Sequence, residues 1–208
     1  MSAAEGAHPG LNLTHPHAKA QEETETALFG FWVFLMSDAV IFALLFATYG
    51  VMLHATVGGP TPADVYEIGP ALLETAILLT SSFTFGLASV AMKHDAPRRR
   101  LLGWMAVTLV LGLAFLALEV RDFLTMVAQG ATPMRSGYLS SFFALVPLHG
   151  LHVAAGCLWL VVMMVQVVVF GLDARVRINT LRLGLFWHFL DIVWIGLFSV
   201  VYLQGLIR

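Results

Sequence analysis

Residues 138–170 read YLSSFFALVPLHGLHVAAGCLWLVVMMVQVVVF, a run with no Asp, Glu, Lys or Arg. A helix needs roughly 20 residues to cross the ~30 Å hydrocarbon core of a bilayer, and this run exceeds that length. Working outward, four more uncharged or nearly uncharged runs lie near residues 27–53, 70–92, 101–127 and 182–206. None shows the alternation of a barrel strand. In lipid the backbone must satisfy its own polar groups, which leaves helices. The expected fold is therefore all-α, an integral membrane bundle of five transmembrane helices. Composition agrees: 59% of residues are hydrophobic, 12% are charged, and the mean hydropathy is +0.83, where a soluble domain carries about 25% charged residues.

Between the runs the chain is punctuated by Gly58, Gly59, Pro60 and Pro62, by the charged stretch from Asp95 to Arg100, and by Gly130 to Gly137. Residues 1–26 form a polar tail with Glu22, Glu23 and Glu25 and without the apolar core of a signal peptide. The first helix is then its own insertion signal, and 27–208 is the membrane domain. Lys19, Lys93, Arg98, Arg99, Arg100, Arg175, Arg177 and Arg182 fall on one side of the bilayer, against Arg121, Arg135 and Arg208 on the other. Cytoplasmic loops are enriched in Lys and Arg, so the N-terminus is expected in the cytoplasm and the C-terminus in the periplasm. A net charge of -2, spread in short clusters, offers no basic face for nucleic acid. Cys157 is the single cysteine, which excludes intrachain disulfides and cysteine-based metal clusters. Trp32, Trp104, Trp187, Tyr138 and Tyr202 suit interfacial belts, whereas Trp159 and Trp194 lie too deep and are expected to pack inside.

Polar residues inside these runs carry the chemistry. A charge at mid-helix costs about 2.5–3.5 kcal/mol on insertion scales, while each Leu, Ile, Phe or Val returns about 0.3–0.6. The first helix has fourteen such residues around Asp38, so it inserts, but Asp38 needs a partner. At about 1.5 Å per residue, Asp38 lies near the midplane and Glu74 roughly 6 Å below the outer edge. Glu119, His149 and His152 fall in the same outer half, and these four residues are expected to cluster. His188 and Asp191, three residues apart on one helix face, form an inner pair. Gly150, Ala154, Ala155 and Gly156, with Thr80, Ser81 and Ser82, allow close helix approach.

Three readings fit this set. Buried histidines and carboxylates can bond helix to helix and fix the bundle. His149 and His152 with Glu74 and Glu119 can make a carboxylate–histidine metal site. Asp38, Glu119 and Asp191 can serve an independent proton- or ion-coupled transporter. A bis-histidine haem is disfavoured, because His188 sits roughly 15 Å or more from His149 and His152 along the membrane normal.

Specific strings resemble one family, subunit III of the haem-copper oxidases: His149-Gly-Leu-His152-Val-Ala-Ala-Gly156 and Trp187-His188-Phe-Leu-Asp191-Ile-Val-Trp194. Shorter matches fall in the family's order at Phe34-Leu-Met-Ser-Asp38-Ala-Val-Ile-Phe42, Pro70-Ala-Leu-Leu-Glu74-Thr and Ala117-Leu-Glu119. The likeness runs from about residue 27 to the end. The family's seven-helix form is similar to this chain in its last five helices, and the five-helix form resembles the cytochrome o-type ubiquinol oxidase branch. Where the seven-helix form carries Glu, this chain has Asp38, one methylene shorter, and the role of that glutamate is not carried over. The resemblance implies a subunit without redox cofactors in a bacterial inner-membrane complex that oxidises quinol, reduces oxygen to water and pumps protons. It places haems and copper in subunit I, which this chain would contact directly, beside subunits II and IV. It implies no catalytic centre here, bound phospholipid, and a part in assembly, stability and oxygen access. Cytochrome c oxidase and nitric oxide reductase are the alternative complexes within the family.

Overall fold

The computed structural model describes residues 17–56, 68–94 and 97–203, with side chains from Thr26 on, Ala27 excepted. Residues 1–16, the Gly58–Pro62 punctuation and the chain beyond Leu203 lie outside that description. Five helices follow in order: α1 His17–Met52, α2 Ile68–Lys93, α3 Arg98–Ala128, α4 Gly137–Phe170 and α5 Ala174–Leu197, the last continuing into a π-helical turn at Phe198–Leu203. Each contains a stretch long and apolar enough to cross a membrane, and no strand occurs among the described residues. In α1 that stretch is Leu28–Met52, within a residue of the run read from sequence.

Two helix starts lie well outside the apolar runs. α1 begins at His17 and α5 at Ala174, the latter eight residues before the expected 182. Arg175, Arg177 and Arg182 end a membrane span but favour a helix, since arginine is a good helix former. α4 continues through Pro147, which has no N–H to give the carbonyl of Phe143. Ser136 caps α4, its hydroxyl accepting from the Leu139 N–H at 3.2 Å. The turn before it uses Gly130 at φ 80°, a left-handed backbone suited to glycine, and the Arg135 guanidinium donates to the Gly130 carbonyl at 3.0 Å.

Successive helices run antiparallel, and side-chain meetings fix their register. Asp38 meets His152, Phe31 meets Trp159 and Tyr49 meets Tyr138 across α1 and α4. Thr75, Ser81 and Ser82 of α2 meet Trp194, Trp187 and His188 of α5. Lys93, Arg98, Arg99, Arg100, Arg175, Arg177 and Arg182 consequently gather at one end of the bundle, with Arg121 and Arg135 at the other. α1 packs against α4 and α5 and is the peripheral helix: 17% of its apolar window is buried, against 44% for α2 and α5.

The centre is aromatic. Trp194, fully buried, stands edge-on to Phe115 with ring centroids 4.7 Å apart. Trp187 stacks on Phe85 at 6.3 Å and fills the space left by two glycines. A Cβ on Gly112 would come within 2.9 Å of the Trp187 ring, and one on Gly156 within 3.2 Å. Trp194 lies inside as expected, while Trp159 is half-buried, its ring packed against Phe31 and Phe186. Trp187, Tyr138 and Tyr202 are a correction: read as belt residues, they are all buried, because each lies on the face its helix turns to its neighbours.

Candidate functional site

The polar residues of the membrane segment divide into three groups, each placed by a different pair of helices. The first joins α1 to α4. Asp38 Oδ2 lies 3.2 Å from His152 Nε2, with the carboxylate side chain 9% exposed and the imidazole 20%. The other ring nitrogen of His152 is 2.7 Å from the Leu148 carbonyl one turn earlier. That contact requires Nδ1 to be the donor, so a neutral ring presents Nε2 as an acceptor and a protonated ring presents a second donor to Asp38. The sequence left Asp38 wanting a partner; the structure sets His152 beside it at ion-pair distance, without hydrogen-bond geometry at Oδ2.

His149 is fully buried in a box of rings: Phe42 from α1, Phe115 from α3 and Trp194 from α5, with centroids 6.4, 6.0 and 5.4 Å away. Neither of its nitrogens has a hydrogen-bond partner among the described residues. Trp194 turns its indole N–H away from the histidine and donates to Thr75 Oγ1 at 3.0 Å.

The second group lies towards the end where α5 finishes. Glu74 of α2 and Glu119 of α3 are buried and within electrostatic reach of one another. Tyr202 stands close to both. Glu119 occupies a notch over α4 that only glycine leaves open, since a Cβ on Gly150 would fall 2.5 Å from its Oε2. The Oε1 atoms of Glu74 and Glu119 have no hydrogen-bond partner among the described residues.

The expected four-residue cluster is therefore split. Glu74 and Glu119 come together, His149 is enclosed by rings and His152 pairs with Asp38. Among the described residues, no three His, Cys, Asp or Glu side chains converge as a metal would need. Counting depth along each helix located these residues at similar levels but not their directions around the axis. His149 and His152, three residues apart, share Phe42 as a neighbour, but only His149 also meets Phe115 and Trp194, and only His152 meets Asp38.

The third group is Ser82 of α2 with His188 and Asp191 of α5. Ser82 Oγ is 2.7 Å from His188 Nδ1 and within reach of the Asp191 carboxylate. His188 and Asp191, expected as a pair, both stand beside this hydroxyl. The expectation that both are buried needs correcting: Asp191 is 9% exposed, but His188 lies on the outer surface of the bundle. Both line an open groove with Leu79, Phe83, Gly86 and Val90. α5 is apolar nearly all round, so no amphipathic stripe marked its outward side.

Sequence reasoning singled out Ser81 and Ser82 only as small residues and passed over Thr75, Thr84 and Thr108. In the structure Ser81 accepts from the Trp187 indole at 3.1 Å, and Thr84 and Thr108 join α2 to α3 at 2.8 Å. A hydroxyl in an apolar run gives little sequence signal, because it can satisfy itself on the carbonyl one turn back. Thr80 does that with Ala76.

Among known proteins, the profile of the family described as Cytochrome c oxidase subunit III matches residues 12–206. The cytochrome bo(3) ubiquinol oxidase subunit 3 of Pseudomonas aeruginosa is 49% identical over 191 residues, 92% of this chain and 91% of the relative. That of Pseudomonas putida is 45% identical over 183 residues, 88% of each chain. That of Buchnera aphidicola is 41% identical over 180 residues, 86% of this chain and 92% of the relative. A match over nearly the whole chain, with the expected strings standing at the helix contacts just described, leads to one conclusion: this chain belongs to the cytochrome c oxidase subunit III family.

Proposed function

We propose that this chain is the subunit III of a proton-pumping haem-copper quinol oxidase, without a redox centre of its own. It supports the assembly and stability of subunit I, which holds the haems and copper, in company with subunits II and IV. One observation carries the structural role: the membrane-buried polar bonds join helix to helix within the chain. Asp38 and His152 tie α1 to α4, Thr75–Trp194 and Ser81–Trp187 tie α2 to α5, and Thr84–Thr108 ties α2 to α3. Each such tie contributes about 0.6–2 kcal/mol in a bilayer. Side chains used in this way fix helix positions and present a defined surface to a neighbour.

The surface itself supports a subunit role. Large apolar side chains such as Phe29, Val40, Leu44 and Val51 cover the outside of α1, suited to lipid chains and to partner helices alike. The arginines gathered at one end support a cytoplasmic side for that end, by the positive-inside rule, in the inner-membrane setting of the proposed complex. Bound phospholipid and a route for oxygen towards subunit I belong to the same reading.

The test is purification in mild detergent through a C-terminal tag on this chain, with protein identification and a reduced-minus-oxidised visible spectrum. Haem bands, large co-purifying subunits and quinol oxidase activity are expected. An eluate of this chain with neither haem bands nor co-purifying subunits overturns the proposal.

A further inference from the structure

The groove between α2 and α5 brings two ionisable side chains, His188 and Asp191, to the outer surface of the bundle. It is open to the outside and offers about 450 Å3, many times the ~30 Å3 share of one water, room for a side chain or an acyl chain to lie in it. Its floor is polar and its rims are apolar. On the α2 rim Leu79, Phe83 and Val90 are exposed, and on the α5 side so are Ile192 and Ile195. Gly86 opens a notch in the α2 rim: a Cβ there would meet nothing within 4 Å. Such a notch seats a neighbouring helix closely.

The floor sets what that neighbour must carry. The Ser82 hydroxyl has one proton to give. It stands 2.7 Å from His188 Nδ1 and within reach of the Asp191 carboxylate; in the Nδ1–H tautomer it accepts from the ring and keeps its own proton for that carboxylate. A neutral imidazole held in this tautomer leaves Nε2 as an acceptor. No hydrogen bond to Nε2 forms within the chain among the described residues, and the ring is exposed. An acceptor facing hydrocarbon is costly, so it wants a donor from outside. A lipid headgroup is badly placed to supply one. At about 1.5 Å per residue, His188 lies roughly 9 Å along α5 beyond Arg182, the last charged residue before the apolar run. An acyl chain reaches that depth but carries no donor.

Resting on the assignment of this chain to an oxidase complex, we propose that the α2–α5 groove is a subunit contact. It receives a transmembrane helix of a neighbouring subunit that presents a hydroxyl, amide or indole donor to His188. Ser82 and Asp191 are positioning residues that fix the ring's tautomer and angle.

The experiment uses the whole complex, with a photo-crosslinking amino acid at Phe83 or, separately, at Ile192. Neither residue makes a polar contact. Irradiation is expected to join this chain to one and the same partner subunit from both positions. Adding His188→Ala should lower that yield about threefold or more, the effect of one interhelical hydrogen bond, while His188→Gln, which keeps an acceptor, restores part of it. Photoproducts containing phospholipid alone from both positions overturn the proposal, as does a subunit crosslink that His188→Ala leaves unchanged. Co-purification of haem-bearing subunits with the unsubstituted chain is read first, so that a failed crosslink is separated from a failed oxidase assignment.

Discussion

The centre of the bundle and the α2–α5 groove use the same kinds of residue to opposite ends. Around His149 the rings of Phe42, Phe115 and Trp194 close the site from three helices, and an imidazole with no protein hydrogen bond is held by shape. In the groove His188 is held by a hydrogen bond to Ser82 and is open on its other side. The glycines divide in the same way. Gly112 is filled by a tryptophan ring, while Gly86 faces open space. A histidine or a glycine in a membrane helix thus has no fixed meaning until its direction around the axis is known. Inward it consolidates the chain, and outward it is available to something else.

The contrast predicts a descending series of effects. Trp194→Ala removes the ring that packs on Phe115 and His149 and the indole donor to Thr75, whose hydroxyl keeps its bond to the Ala71 carbonyl. It should cost about 3–5 kcal/mol, enough to abolish recovery of folded chain from membranes as judged by size-exclusion profile in mild detergent. Gly112→Leu pushes into Trp187 and Cys157, which lie 2.9 and 3.0 Å from a Cβ at that position. Overpacking of this kind costs about 1–3 kcal/mol, and a lowered thermal unfolding midpoint of the purified chain checks it. Asp38→Ala leaves His152 without its partner across α1 and α4. A loss of about 0.6–2 kcal/mol is expected, visible as faster proteolysis near α1, and unchanged digestion would show that the 3.2 Å contact contributes nothing. Thr84→Val deletes one hydroxyl bridge between α2 and α3 and should cost about 0.6 kcal/mol or less, measurable only as a small shift in midpoint. Gly86→Leu should leave the midpoint of the isolated chain in place while weakening its retention in the complex under harsher detergent. A destabilised isolated chain would remove the distinction between closed centre and open groove.

Most of the helical architecture was legible in the sequence, because insertion into hydrocarbon depends on length and apolarity and little else. The span Leu28–Met52 was readable for that reason. The start of α5 was not, since Arg175 and Arg177 forbid the membrane but not the helix. The polar residues were legible as a set and by depth. Their partners were not, because a helix that is apolar all round carries no signal of which side faces protein. Asp38 could be told to need a partner, but its choice of His152 over Glu119 or His149 depends on how far α4 is rotated. His188 shows the opposite failure. Its three-residue spacing from Asp191 correctly put the two on one face, and nothing in the string said that the face looks outward.

α1 rests on α4 and α5, the last two helices of the chain. It is also the first to leave the ribosome. Asp38 and His152 are separated by roughly 110 residues, which at ~5–20 residues per second amounts to on the order of 10 s of synthesis. Through that interval the first helix sits in the bilayer with its carboxylate unanswered and its packing face bare. Biosynthesis therefore has a built-in waiting period, during which insertion factors and membrane proteases compete for a helix that its own chain has yet to claim.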